Sequence, residues 1–174
     1  MPTETRPEGW PERLLAYLDE ASSEFFAWDG RRDCATGFAG RAVEAVTGVH
    51  PCPDLVGIYE DEAGAREAIA RDGGLEAAVT KRLGPPLPDP LSAMRGDVVL
   101  FSWRNRDGSE EERLGVCVGD SVAAKGDPSG VAQVRMSRAR VAWPVGRQTG
   151  GGTKSASPSD STPVSTTTSG PSPT

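Results

Sequence analysis

Histidine is almost absent from this sequence: His50 is the only one in 174 residues. Cysteine is scarce as well, and Cys34, Cys52 and Cys117 form no Cys-x-x-Cys pair. Because protein zinc sites are built mainly from these two residue types, we expect no metal site, and no motif indicates another cofactor. An odd number of cysteines without a signal peptide favours free thiols over a disulfide framework.

Two further absences narrow the choice of partner. The net charge is −6 and no segment forms a basic stripe, which makes nucleic acid an unsuitable partner. No apolar run is long enough to span a bilayer, and the N-terminal stretch MPTETRPEGWPERL has no signal-peptide core. We therefore expect no membrane span and synthesis in the cytoplasm.

The C-terminal segment lacks the residues that build a core. It reads RQTGGGTKSASPSDSTPVSTTTSGPSPT and contains no aromatic residue and one branched aliphatic residue, Val164. Such a composition buries too little apolar surface to offset the entropy lost on ordering. The sequence therefore predicts one domain over residues 1–146 and a disordered tail over residues 147–174.

Helical patterns fill the first half of the domain and strand patterns the second. Apolar spacing and capping residues predict helices over 11–23, 34–47, 61–72 and 75–83. After the proline-rich stretch PPLPDP come strand candidates at GDVVLFSW, RLGVCVGD, SVAAKG, VAQVRM and RVAWPV, with a hairpin turn at Asp107-Gly108. Leu114 and Val116 should face the opposite side of the sheet from Arg113 and Cys117. Helices followed by antiparallel strands predict an α+β fold.

The stretch FFAWDGRRDCATGFAG, residues 25–40, places a thiol where chemistry is plausible. Asp29-Gly30 forms a turn, and Asp33 is a suitable N-cap for a helix that Gly48 ends. Cys34 then stands at the N-terminus of that helix, where a cysteine protease keeps its nucleophile.

Three segments in this order resemble the NlpC-type cell-wall peptidases, small papain-like enzymes that cut peptidoglycan stem peptides. FFAWDGRRDC corresponds to their aromatic-glycine turn and Asp-Cys, RGDVVLFSW to a strand that begins Gly-Asp, and RLGVCVGD to a strand of the form His-Val-Gly-Ile-aromatic-aliphatic-Gly. The resemblance covers roughly residues 25–145 and is greatest to short variants encoded in phage and prophage tail modules. It implies a papain-like NlpC-type fold with N-terminal helices packed on a small antiparallel sheet.

The resemblance places Arg113 where the family has its base histidine, and Lys125 near the family's third polar position. In the family a histidine ionises the cysteine and then protonates the leaving amine. A guanidinium does not release a proton at any relevant pH, so Arg113 cannot replace it. His50 should lie beyond the far end of the helix, about 20 Å from Cys34, which excludes it as the base. The same separation excludes a Cys34–Cys52 disulfide.

The helix N-terminus and the nearby Arg31, Arg32 and Arg113 should favour a thiolate at Cys34, with Asp33 in partial opposition. Each of these positions also has a purely structural interpretation. Cys34 can be a packed thiol, Asp33 a helix cap, and Arg113 and Lys125 surface or ion-paired residues.

Two functions follow from the resemblance. The first is a degenerate, non-catalytic NlpC-type domain that serves as a structural or binding component of a phage or prophage tail module, with tail proteins or peptidoglycan peptides as partners and a place in the virion. The second is an active cysteine peptidase or amidase in which Cys34 is the nucleophile and Lys125 or a partner's histidine is the base. An accidental likeness is a third possibility, and it predicts that Cys34 and Arg113 lie far apart with no shared groove.

Overall fold

The computed structural model describes residues 5–147 and shows an α+β fold, which confirms the prediction. The helices are α1 (Trp10–Ser22), α2 (Gly40–Thr47), α3 (Glu62–Arg71) and α4 (Leu75–Leu83), and a π-helical turn at Cys34–Ala39 leads into α2. The strands are β1 (Val98–Arg104), β2 (Glu110–Cys117), β3 (Ser121–Lys125), β4 (Val131–Arg135) and β5 (Ala139–Trp143). They form one antiparallel sheet in the order β4-β3-β2-β1-β5. The predicted tail lies outside the described residues, apart from its first residue.

The hairpin between β1 and β2 is tighter than the sequence indicates. Its predicted turn at Asp107-Gly108 is confirmed: the Gly108 amide donates to the carbonyl of Asn105 at 3.1 Å, and the Asn105 amide donates to that of Ser109 at 2.8 Å. Because the chain reverses within these few residues, β2 begins at Glu110 rather than at Arg113. Three consecutive glutamates are therefore strand residues, although their charge is typical of a loop.

The two faces of the sheet carry separate apolar clusters. Leu114 and Val116 face the helices and pack in the larger cluster with Phe38, whereas Cys117 lies on the other face with Phe101. The predicted alternation along β2 is thus confirmed, and it fixes which side chains can meet the helix that begins at Cys34.

Asp97 binds both ends of the described chain. Its side chain is fully buried and accepts hydrogen bonds from the guanidinium groups of Arg6, at 2.8 Å, and Arg147. The amides of Met94 and Val145 donate to it at 2.8 and 3.1 Å. Arg147, which the sequence analysis assigned to the tail, is therefore attached to the folded domain.

Candidate functional site

Asp33 caps the helix that carries Cys34, as expected. Its Oδ1 accepts hydrogen bonds from the amides of Ala35, at 2.9 Å, and Gly37, at 3.1 Å. The Tyr59 hydroxyl donates to the other carboxylate oxygen at 3.0 Å. Burial raises the pKa of Asp33, and the hydrogen bonds from Gly37, Tyr59 and Ala35 oppose that rise.

The helix does not start as a regular α-helix. The Phe38 amide donates to the Asp33 carbonyl at 2.8 Å, a spacing of five residues that makes Cys34–Ala39 a π-helical turn. Gly37 allows this turn because a β-carbon there would collide with the backbone of Arg31 and Arg32. The single helix predicted over 34–47 is thus two segments, and π-turns of this kind are frequent at functional sites.

The Cys34 thiol is not activated, which corrects the expectation of a favoured thiolate. Burial and then the negative charge of Asp33 raise its pKa to about 11. Arg113 and a hydrogen bond from the backbone of Leu114 oppose this rise, and Glu111 adds to it. Desolvation has the larger effect because a thiolate removed from water loses more free energy of hydration than the Arg113 guanidinium can offset. That guanidinium is already partly neutralised.

Arg113 is bound to groups other than the Cys34 thiol. Its guanidinium donates to the carboxylate of Glu111 and lies over the ring of Trp103, 4.8 Å from the centroid. Its charge lowers the pKa of the Cys34 thiol.

Lys125 fastens β3 to the end of α1. Its buried amine donates to the carbonyl oxygens of Glu24, at 2.8 Å, and Ala21, at 3.4 Å, and lies 3.8 Å from the Glu24 carboxylate. Burial lowers the pKa of this amine, the direction that a catalytic lysine would need. However, these hydrogen bonds direct its protons to the backbone at and just beyond the end of α1, and they give the residue a structural role.

His50 lies nearer the helix start than the spacing argument indicates. A β-carbon at Gly40 would stand 2.8 Å from its ring, and the ring bonds to the backbone of Thr36. The expected separation of about 20 Å is therefore wrong, because the chain after α2 turns back along the helix. The Cys52 amide donates to the ring Nδ1 at 3.2 Å, so the ring is hydrogen-bonded to the backbone at two positions, Thr36 and Cys52.

Tyr59 and Thr36 extend the polar site behind Cys34, and neither residue was predicted from the sequence. Tyr59 is 7% exposed and Thr36 5% exposed, and the Thr36 side chain is hydrogen-bonded to Tyr59 and to Cys52. No motif could have located Tyr59, because the stretch 50–95 matches none. The cysteines are all free.

A groove of about 480 Å³ passes the Cys34 thiol. One wall is apolar and comes mainly from α3, with Ala65 and Ile69, and the other is the acidic start of β2, Glu110–Glu112. Trp28 lies at the end of the groove and also lines a neighbouring groove that contains Arg113. Cys34 lines the first groove and Arg113 the second, and Trp28 is one of the residues that the two grooves share.

A smaller apolar cavity of about 60 Å³ lies behind this groove. Its wall includes Thr36, Cys52, Leu55, Ile69 and Leu114, and it shares Thr36, Leu55 and Ile69 with the groove. Little of this wall is polar, so the cavity suits an aliphatic group.

Comparison with known families gives one result. The model of a domain of unknown function, DUF6950, matches residues 5–145. The chain belongs to the DUF6950 family. No curated protein and no solved structure matches. The matched stretch contains every predicted site residue, namely Asp33, Cys34, Arg113 and Lys125.

Two other features of this DUF6950 domain bear on its chemistry. Within residues 5–147, no group of three His, Cys, Asp or Glu side chains is placed to hold a metal ion. None of the helices in the described part of the chain has the length and apolar character needed to cross a membrane.

Proposed function

We propose that this chain is a degenerate NlpC-type domain that binds rather than cleaves, as a structural or binding component of a phage or prophage tail module. The observation that carries this proposal is the environment of the Cys34 thiol, whose pKa is raised to about 11. Apart from burial, the groups that shift this pKa most are Asp33, Arg113, the backbone of Leu114 and Glu111. None of these groups is an imidazole or an amine.

Peptide hydrolysis at a thiol requires two proton transfers. A base must remove the thiol proton, and an acid must then protonate the leaving amine. Arg113 is held by Glu111 and Trp103, and Lys125 donates to the carbonyl oxygen of Glu24. His50, the only histidine in the chain, is hydrogen-bonded to the backbone of Cys52 and Thr36. We therefore infer that the domain retains the cleft of a peptidase but lacks the groups that would transfer the two protons.

A cleavage assay on the full chain tests the non-catalytic part of the proposal. We expect no cleavage of a peptidoglycan stem tetrapeptide by mass spectrometry, for wild type or for Cys34→Ala, at neutral pH and at pH 9. Turnover by wild type that disappears in Cys34→Ala would show an active peptidase and overturn the proposal. The assay is repeated with the neighbouring gene products, because a partner subunit could supply a histidine.

Mass spectrometry of purified particles tests the assignment to a tail module. The chain should be present in intact particles from a lysogen that encodes it, in a fixed ratio to known tail proteins. Its absence from particles and from their assembly intermediates would contradict this part of the proposal.

A further inference from the structure

The backbone of β2 has one edge that its neighbours cover only in part. The Cys117 amide donates to the Asp97 carbonyl and the Cys117 carbonyl accepts from the Gly96 amide, both at 2.8 Å, so the peptide groups of Cys117 face β1. The Val118 amide donates instead to the Ser121 carbonyl, at 2.9 Å. Successive residues of a strand direct these groups to alternate sides. The even-numbered residues of β2 therefore face away from β1.

Strand β3 covers this second edge over only part of its length. It pairs with β2 at Gly115–Cys117, and no other strand within residues 5–147 pairs with β2 on that side. At Leu114 the backbone bonds to the Cys34 thiol. The peptide groups of Glu112 and Glu110 come next, and both residues line the groove beside Cys34. An open strand edge of this kind is a template for one more strand.

Charge defines the kind of strand that fits. Carboxylates line the two adjoining grooves at Asp33, Glu62, Glu110, Glu111, Glu112 and Asp127. The cations there are Arg66 and Arg113, and each is bound to one of these glutamates.

Part of this negative charge is available to a ligand. Glu110 and Glu112 have only solvent-exposed arginine partners, and exposed ion pairs of this type contribute little free energy. Asp127 forms no ion pair with any described residue. Trp28 and Phe26 add a half-exposed aromatic pair, with ring centroids 4.9 Å apart, to which a cation can bind.

We propose that an extended, basic segment of a partner protein adds to the sheet as a strand along the Glu110–Glu112 edge of β2 and occupies the groove that leads to Cys34. Main-chain hydrogen bonds supply affinity, and the carboxylates select lysine or arginine side chains. This inference rests on the proposed function, because a segment that stays in the groove must not be cut by Cys34.

Three synthetic probes test the mode of binding to the full chain. The first is a fluorescein-labelled hexapeptide of alternating lysine and valine. The second has glutamate in place of lysine, and the third is the lysine peptide with N-methyl groups on alternate residues. We expect about tenfold weaker binding of each altered probe by fluorescence anisotropy, since both ion pairs and main-chain hydrogen bonds are lost. Equal binding of the first and third probes, or of the first and second, would overturn the proposal.

Substitutions at one position separate the backbone from the charge. Glu112→Gln removes the side-chain charge and keeps the backbone amide proton, whereas Glu112→Pro removes both. Neither variant loses a hydrogen bond to β1, because the backbone amide of residue 112 faces away from that strand. We expect about twofold weaker binding of the lysine probe by Glu112→Gln and about tenfold weaker binding by Glu112→Pro. Equal affinities in two variants that retain the wild-type circular dichroism spectrum would contradict strand addition.

Hydrogen exchange on wild type gives a test that needs no substitution. Binding of the lysine probe should slow exchange of the Glu110 and Glu112 amides, and unchanged rates at saturation would overturn the proposal. A synthetic peptide of residues 148–174 serves as competitor: tighter binding than the lysine probe would identify the chain's own end as the occupant and reject a basic partner. Mass spectrometry of the recovered probe separates the two proposals. A cleaved probe would reject the non-catalytic function, whereas an intact probe that does not bind would reject only strand addition.

Discussion

The guanidinium of Arg113 lies over the ring of Trp103, with 4.8 Å between its central carbon and the ring centroid. Glu111 binds the same guanidinium, so Arg113 is part of a cluster of side chains on β1 and β2. The charges of this cluster act on Cys34 in opposite directions: Arg113 lowers the pKa of the thiol and Glu111 raises it.

The first prediction concerns the reactivity of the Cys34 thiol. Its alkylation by iodoacetamide should be slow at pH 7.5 and should increase up to about pH 11, because only the thiolate reacts. Glu111→Gln should move the pH profile to lower pH, and Arg113→Leu should move it to higher pH. Peptide mapping by mass spectrometry follows Cys34 separately from the other thiols.

A matched control for this prediction is Glu67→Gln, which removes an exposed ion pair with Arg71 elsewhere on the surface. The profile of Cys34 should not change in this variant. If the pH profile of Cys34 alkylation in wild type had its midpoint near pH 7, burial would not determine the pKa of the thiol. That result would favour the catalytic alternative.

The second prediction is that Lys125 stabilises the fold. Lys125→Met should lower the free energy of unfolding by about 2 kcal/mol, because the buried carbonyl oxygens of Ala21 and Glu24 lose their charged donor. Urea unfolding measures the change. Lys81→Met is the control: this lysine is largely exposed, and its loss should cost less than about 1 kcal/mol. Similar small losses in both variants would contradict the structural role.

The third prediction compares two aspartates with opposite pKa shifts. The pKa of Asp33 is raised by burial, so the folded chain binds this proton more tightly than the unfolded chain, and Asp33 contributes less stability as the pH rises above about 3.8. The pKa of Asp72 is lowered by hydrogen bonds from Lys81 and Arg82, so its contribution is lost as the pH falls.

Thermal unfolding between pH 3 and pH 8 tests both signs. As the pH rises, Asp33→Asn should gain stability relative to wild type, and Asp72→Asn should lose stability relative to wild type. The same trend in both variants would show that the raised pKa of Asp33 is incorrect.

The fourth prediction concerns two glycines of the cysteine helix. A β-carbon at Gly40 would meet the ring of His50 at 2.8 Å, so Gly40→Ala should cost about 1–3 kcal/mol and push the ring towards solvent. The pKa of His50, which burial lowers, should then rise, and a proton NMR titration detects this because the chain has only one histidine.

Two comparisons control this prediction. In a His50→Ala background, Gly40→Ala should cost much less, since the two changes share one contact. Gly37→Ala should destabilise more than Gly40→Ala, because its β-carbon meets the backbone of Arg31 and Arg32 rather than a side chain that can move. Additive losses in the double variant would contradict the proposed contact.

Much of the fold could be predicted from the sequence, because its elements have local signals. The α4 helix spans Leu75–Leu83 as predicted, since Gly84 ends its apolar pattern. The cap at Asp33 was also predictable, because its hydrogen bonds reach only two and four residues along the chain. The start of β2 was misplaced because cross-strand pairing overrides the low strand propensity of Glu110–Glu112.

The candidate site was harder to predict because its chemistry depends on burial and on distant contacts. The charges near the helix start predicted the wrong direction for the pKa of the Cys34 thiol, since desolvation is a property of the folded state. The contact of Tyr59 with Asp33 joins positions 26 residues apart without any motif. The predicted distance between His50 and Cys34 was wrong because the rise of a helix does not determine the path of the loop that follows it, which here turns back along the helix.

The shared carboxylate of Asp97 has a consequence for protein engineering. Since Arg6 and Arg147 bind one side chain, the polypeptide enters and leaves the described domain at the same pole. A short glycine-rich connector could join these two positions, so circular permutants opened at the Asp107-Gly108 hairpin tip should fold, and the whole domain could be grafted into a surface loop of a host protein without forcing that loop apart.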